Sequence, residues 1–395
     1  MKSEVKKLVN NLEPEIINFA QRLIRTPSIT GHEGDLAKLV QSKMVELDYD
    51  NVWVDKLGNV IGAIGNGPTR ILCDSHMDTV EVNHPEEWKY DPFGGDIVDG
   101  KIYGRGSVDM KGALAATVFA GHIIKRLGLQ QGKTIYISAS VMEEDYDGET
   151  VFSMCRHLES LPDYVVICEP SGLNLALGHK GRALLKLTSK GVSAHGSAPE
   201  KGVNAVYKMG PILQRAEALN NALQRQGNET GSVALTKINS SAESLNAIPD
   251  QCVAFLDRRL VAGEDKACIA AEMDKLLEGI DAEWEVYDKH GRSYTGVPVI
   301  LHSFLPSWEI APGHELAKAC IKSFKTLFNK EPRQFKWDFC TNGVATAGRL
   351  NIPTIGFGPG DSKKAHTVDE CCETSQILDA ASFYSLLPDC LQIAF

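Results

Sequence analysis

The stretch Thr134-Ile-Tyr-Ile-Ser-Ala-Ser-Val-Met142 runs straight into Glu143-Glu144. Its alternating, β-branched apolar character is that of a buried strand. Charge at a strand's exit is ordinary, but two adjacent acids there can aim at different targets. One can bind a metal while its neighbour handles a proton. The pair is therefore expected to have two jobs, with the rest of the chain bringing partners to it.

Strands and helices alternate on either side. Residues 4–25 read as an amphipathic helix closed by Thr26-Pro27, and a second helix runs from Asp35 to Leu47. Val52–Val54 and Val60–Ile64 read as a hairpin turning at Gly58-Asn59. The apolar strand from Arg70 exits through His76-Met-Asp78, and Asp109 opens a helix from Met110 to Leu127. A helix over Thr150–Leu158 leads to the strand Tyr164–Cys168, which ends in Glu169-Pro170. Strand and helix in alternation imply an α/β sheet, and in such sheets ligands gather beyond the carboxyl ends of the strands.

The texture changes near Gly178. Strand (Arg182–Ser189), helix (Asn204–Leu223), strand (Ser232–Ile238), strand (Gln251–Leu256), helix (Ile269–Leu277) and strand (Ala282–Tyr287) describe a small α+β unit of the split-βαβ, ferredoxin-like kind. The expected organisation is a two-domain α/β protein, a mixed sheet flanked by helices. Residues 1–180 and 298–395 form the metal-binding part, and residues 181–297 form an inserted lid or dimerisation domain. After the insertion come a helix over Gly313–Phe328, a short one over Gly343–Arg349, a buried strand from Ile352 into a Gly-rich loop with His366, and a closing helix over 374–393.

Composition removes whole classes of function. The chain has 395 residues, 43% of them hydrophobic, and a net charge of −10, with a pI near 5.6. A nucleic-acid partner needs clustered Lys and Arg, which this chain lacks. No segment approaches the roughly 20 apolar residues of a membrane span, and the N-terminus has no apolar signal core. Ten Cys without a C-x-x-C pair read as reduced thiols, so a cytoplasmic location is expected.

His76, Asp109, Glu143, Glu144, Glu169 and His366 all fall at strand ends, a helix start or a Gly-rich loop. Five of these suffice for two divalent ions if one carboxylate bridges, since paired ions sit about 3.5–4 Å apart. Mixed imidazole and carboxylate donors suit Zn, with Co or Mn as alternatives. Asp78 is placed to orient the His76 imidazole. Each residue alone also has an ordinary reading: Asp109 as a helix cap, Glu169 as a strand end, His366 as a solvated loop side chain.

Six segments occur in order: Ser75-His76-Met-Asp78-Thr79, Tyr103-Gly-Arg-Gly-Ser-Val-Asp109-Met-Lys-Gly112, Met142-Glu143-Glu144, Cys168-Glu169-Pro170, Ala194-His195 and Ala365-His366-Thr367. In combination they resemble the M20 family of metallopeptidases, alongside acetylornithine deacetylase, succinyl-diaminopimelate desuccinylase and carboxypeptidase G2. Thr341-Asn-Gly343 is most similar to the YgeY-type, selenium-metabolism-linked subgroup. The resemblance implies a di-zinc peptidase-like fold with a fixed division of labour. His76 and Glu169 complete one metal site, Glu144 and His366 the other, and Asp109 bridges them. Glu143 is the general base, and a cis peptide often follows the bridging acid, here Asp109-Met110. His195 is implied to stabilise an oxyanion, reaching a partner's site in dimeric members. Asn246 and Arg259 are implied to contact substrate, Arg259 by gripping a carboxylate. Asn342 stands in a substrate-contacting segment that commonly reads Thr-Ser-Asp.

The implied activity is hydrolysis of the amide C–N bond of a small N-acyl or N-carbamoyl amino acid by a homodimer. Two competitors stand beside it. A dipeptidase or aminopeptidase needs an acid for a free α-amine, and no unassigned acid stands out. A non-catalytic binder of metal or amino acid has no need for Glu143.

Overall fold

The computed structural model describes residues 1–225, 227 and 230–391. Its centre is a nine-stranded sheet. From one edge the order is Asn51–Val54, Val60–Ile64, Lys133–Ser140, Thr69–His76, Tyr164–Ile167, Thr354–Gly356, Leu175–His179 and Trp308–Glu309, with Gln334–Trp337 also pairing with Leu175–His179. Four consecutive strands, Lys133–Ser140 through Thr354–Gly356, run parallel. Every residue of Lys133–Ser140 is buried, as expected of a parallel strand covered on both faces. The predicted hairpin is present, with Val54 opposite Val60.

Helices cover both faces. On one side Lys2–Ile24, Lys111–Leu127, Glu315–Phe328 and Thr374–Cys390 bury their apolar stripes, with Phe357 stacked on Phe383 at 3.7 Å. Gly121 is required within this layer, because a Cβ there would fall 2.1 Å from the Tyr49 hydroxyl. On the other side Val151, Met154, Trp308 and Trp337 form a separate cluster with the helix Glu149–His157 and the π-helical turn Val344–Arg349. The final helix ends at Cys390, and positions 392–393 of its expected span lie outside the described residues.

A second sheet is antiparallel, in the order Ser232–Ser240, Gln251–Leu260, Gly181–Lys190, Ala282–Val286. With the helices Ala205–Gln224 and Lys266–Leu277 it has the ferredoxin-like arrangement and its own hydrophobic cluster. The chain leaves it through a hairpin, Asp288–Arg292 against Pro298–His302. Val299 and Leu301 of that hairpin pack with the first core. Phe304–Leu305 then pairs back onto Gly181–Lys190. Leu175–His179, Gln334–Trp337 and Trp308–Glu309 are strands that the periodicity does not announce.

No described helix is long and apolar enough to cross a membrane. All ten cysteines are free thiols.

Candidate active site

Register places the site. His76 lies opposite Ser140 on the adjacent parallel strand, so the chain leaving Ser140 turns beside the imidazole. Met142 takes a left-handed conformation, φ 60°, and starts the one-turn helix Glu143–Tyr146. Three successive amides of this turn are held by carboxylates. Glu33 Oε1 accepts from Met142 N at 3.1 Å. Asp78 accepts from Glu143 N at 2.9 Å and Glu144 N at 3.1 Å. These are the N–H groups a helix start leaves without intrahelical partners.

Asp78 therefore acts differently from the expectation. Its carboxylate approaches His76 Nδ1 only to 3.6 Å. The short contact to that nitrogen is the Asp78 backbone carbonyl, at 2.9 Å. A carbonyl can only accept, so Nδ1 carries the proton and Nε2 is left free for a metal. The side chain of Asp78, also bonded by Thr30 Oγ1 at 2.8 Å, positions the glutamate pair instead.

Asp109 stands between the two imidazoles. Its Oδ1 lies 2.9 Å from His76 Nε2, and its Oδ2 lies 3.2 Å from His366 Nε2. Glu169 Oε1 is 3.5 Å from His76 Nε2. Glu144 Oε2 is 3.0 Å from His366 Nε2. The Asp109–Met110 peptide is cis. Sequence reasoning missed Glu370, which is fully buried and organises this loop. Its Oε1 accepts from Val108 N at 2.8 Å and Asp109 N at 3.0 Å, and its Oε2 from Arg105 Nη1 at 2.7 Å and Gly106 N at 3.1 Å.

The electrostatics call for cations. Burial drives the carboxyls of Glu143 and Glu169 well above their ordinary range, and pushes Glu144 up to about 7. Burial acts the same way on Asp109, but hydrogen bonds from His366 and His76 outweigh it and hold it below the usual range. Hydrogen bonds to Asp109 and Glu144 push His366 up to about 10. Several desolvated acids at one point cannot all ionise without positive charge among them. Glu143 Oε1 is sealed from solvent with no partner among the described residues.

The donor set fits divalent ions. His76, Asp109 and Glu144 offer ligand atoms within 4.8 Å of one another, as do His76, Glu143 and Glu169. Proximity alone thus admits Glu143 as a donor. The division of Asp109's two oxygens between His76 and His366 is the arrangement a bridging ligand needs.

These acids line a cleft of about 290 Å³ together with Arg182 and Arg259. Both guanidiniums are tied to Asp257, Arg182 Nε at 3.0 Å and Arg259 Nε at 2.8 Å. Asp147 also faces the cleft, so an unassigned acid is present after all. Its signal was available: Asp147 follows Glu143 by four residues and Glu144 by three, the spacing of one helical face. Arg182 had no comparable signal, because it meets Arg259 only across two strands distant in sequence.

The expectation that Asn342 contacts substrate changes. Asn342 is buried and its amide is fully used: Oδ1 accepts from Gly148 N at 2.9 Å, and Nδ2 donates to Asp74 at 2.8 Å and Ser140 at 3.1 Å. It braces the sheet beneath the site and does not face the cleft. His195 and Asn246 are exposed and adjacent, Gly196 N bonding Asn246 O at 2.6 Å. Neither lines the cleft within this chain.

Fold, donor set and comparison with known proteins together define a metal-dependent hydrolase acting on C–N bonds. The chain belongs to peptidase family M20/M25/M40, whose sequence model matches residues 72–389. An uncharacterized Escherichia coli K12 protein, YgeY, is 34% identical over 95% of this chain and 94% of its own length. An acetylornithine deacetylase of Aliivibrio fischeri is 28% identical over 95% of this chain and 98% of its own. Among solved structures, the M20 metallo-carboxypeptidase Sso-CP2 of Sulfolobus solfataricus superposes with a TM-score of 0.73 at 18% identity, covering 95% of this chain and 99% of that one. The Bacillus subtilis YXEP protein, described as a dinuclear metal-binding M20 peptidase, gives 0.70 at 14% identity, covering 96% and 98%.

Proposed function

We propose that the chain is a two-metal amide hydrolase that removes the acyl or carbamoyl group from a small N-substituted amino acid. The observation that carries this is Asp109, whose two oxygens divide between His76 and His366 beside the unpartnered Glu143 Oε1. His76 and Glu169 would hold one ion and Glu144 and His366 the other, with Asp109 shared between them. Zn is the first choice, with Co or Mn as alternatives. When bound, the ions supply Lewis-acid polarisation and bring the pKa of a water towards neutrality.

The chain's own residues do the rest. Glu143 takes the proton of the attacking water and delivers it to the leaving nitrogen. Burial raises the pKa of its carboxyl, which favours holding the proton between the two transfers. Asp78 and Glu33 hold the Met142–Glu144 turn, so the base and the adjacent ligand keep their separation. Arg259, anchored by Asp257, grips a substrate carboxylate. His195 and Asn246 reach the reacting centre by closure of segment 181–297 or from a second copy, and the homodimer is our working assembly. A cytoplasmic location agrees with the ten free thiols.

A dipeptidase or aminopeptidase is the second reading, and Asp147 favours it by supplying an acid for a free amine. A non-catalytic binder is the third. Chelation followed by re-addition of Zn, Co or Mn separates them, assayed on N-acyl and N-carbamoyl amino acids and unblocked dipeptides. Hydrolysis lost with metal and regained with it is expected. Hydrolysis that survives chelation, or metal-loaded protein that binds amino acids and cuts nothing, would sink the proposal.

A further inference from the structure

Asp147 closes the helix Glu143–Tyr146 and lines the cleft with the metal donors. It is 8% exposed, and no other described residue hydrogen-bonds to its carboxylate or pairs with it. The nearby guanidiniums act on it through their charge but give it no hydrogen bond, each being bonded to Asp257 through its Nε. A buried carboxylate without a hydrogen-bond partner is costly to hold. One that opens onto a cleft is a receptor for a cation.

The same cleft offers the complement. Arg182 and Arg259 sit opposite each other in antiparallel register. Asp257 occupies Arg182 Nε and Arg259 Nε and Nη2. Among the described residues, nothing hydrogen-bonds to either terminal nitrogen of Arg182 or to Nη1 of Arg259, which can take a carboxylate. Two guanidiniums against Asp257 and Asp147 leave this set balanced in charge. A ligand that is only an anion upsets that balance, whereas one carrying an ammonium for Asp147 and a carboxylate for the arginines preserves it.

We propose that Asp147 binds a free ammonium of the substrate, and that with Arg182 and Arg259 it selects small amides bearing both an amine and a carboxylate. This rests on the hydrolase reading of the cleft. Two sources have that chemistry: an Nα-acylated diamino acid, with its ammonium on the side chain, and an unblocked dipeptide, with its ammonium on the acyl side.

The test compares matched pairs on metal-loaded enzyme: Nα-acetylornithine against Nα-acetylnorvaline, and glycyl-leucine against N-acetylglycyl-leucine. In one pair the amine-bearing compound is expected to show a kcat/KM about 10- to 100-fold higher, the range of one charge-assisted hydrogen bond. Asp147→Asn should bring that ratio near one, chiefly through KM. Arg182→Ala should raise KM for both members of the favoured pair. Equal rates within both pairs, or a ratio that survives Asp147→Asn, would overturn the assignment of Asp147 while leaving the hydrolase intact. If none of the four is cut by fully loaded protein that does cut N-carbamoyl or other N-acyl amino acids, this inference fails and the hydrolase reading stands; if those are not cut either, the hydrolase reading fails with it. Equal wild-type rates within both pairs overturn the proposal even if Asp147→Asn does not fold, and Asp147→Glu, which keeps the charge, should then retain a ratio well above one.

Discussion

The carboxylate of Glu370 accepts the amide of Asp109 at 3.0 Å, from 261 positions along the chain. Asp109 is thereby fixed at its backbone by the same C-terminal segment that supplies His366, while its side chain reaches the imidazoles of His366 and His76. Glu370 touches no reacting atom and acts through Asp109.

Loss of Glu370 should therefore appear as lost metal and lost stability together. Glu370→Ala leaves the Arg105 guanidinium buried without its partner, a cost of about 3–5 kcal/mol. Metal affinity should fall about 10- to 100-fold, as for other groups that orient a ligand from behind. Metal titration and thermal melting check both. A variant that melts lower yet binds metal normally would limit Glu370 to a structural role.

Asn342 makes the opposite prediction. Its three hydrogen bonds lie beneath the sheet's end, so Asn342→Ala should destabilise by about 1–3 kcal/mol through the buried groups it strands. KM should change little. A raised KM at unchanged melting temperature would return Asn342 to the substrate.

The metal-free protein should show a pH signature. His366 is raised to about 10 from an ordinary 6.5. Its protonated form thus stabilises the fold fully below pH 6.5, and the contribution fades as pH rises through 10. Glu144, raised to about 7 from 4.5, has the same sign, with its effect complete below 4.5 and gone above 7. Wild type and His366→Asn, both chelated, should differ most in melting temperature near pH 6 and converge near pH 10. A gap independent of pH would contradict this. Metal uptake must displace these protons, so calorimetry in two buffers should detect proton release.

What the sequence announced and what it concealed follow from where each signal resides. The buried strand Lys133–Ser140 and the acids at its exit were legible because strand burial and ligand placement are local patterns. Arg259 was legible through its resemblance to the family's Asp-x-Arg pattern, and in the structure the strand Gln251–Leu260 puts Asp257 and Arg259 on one face and buries Arg258 on the other. Glu370, Glu33 and Arg182 were not, since each acts only through tertiary contact. Asn342 was misread because its segment matches a substrate-contacting one, whereas its direction depends on Asp74 and Ser140. Leu175–His179 was missed because a short strand feeding directly into the next leaves little pattern of its own.

The central claim is a division of labour at Glu143-Glu144: one acid for metal, its neighbour for the proton. Proximity permits Glu143 to bind metal instead. Glu143→Gln, measured for metal content and turnover in one preparation, tests this most directly. The account predicts two ions per chain and turnover down by about 10²- to 10⁴-fold, the usual contribution of a general base. Loss of one ion, or two ions with near-normal turnover, would contradict it.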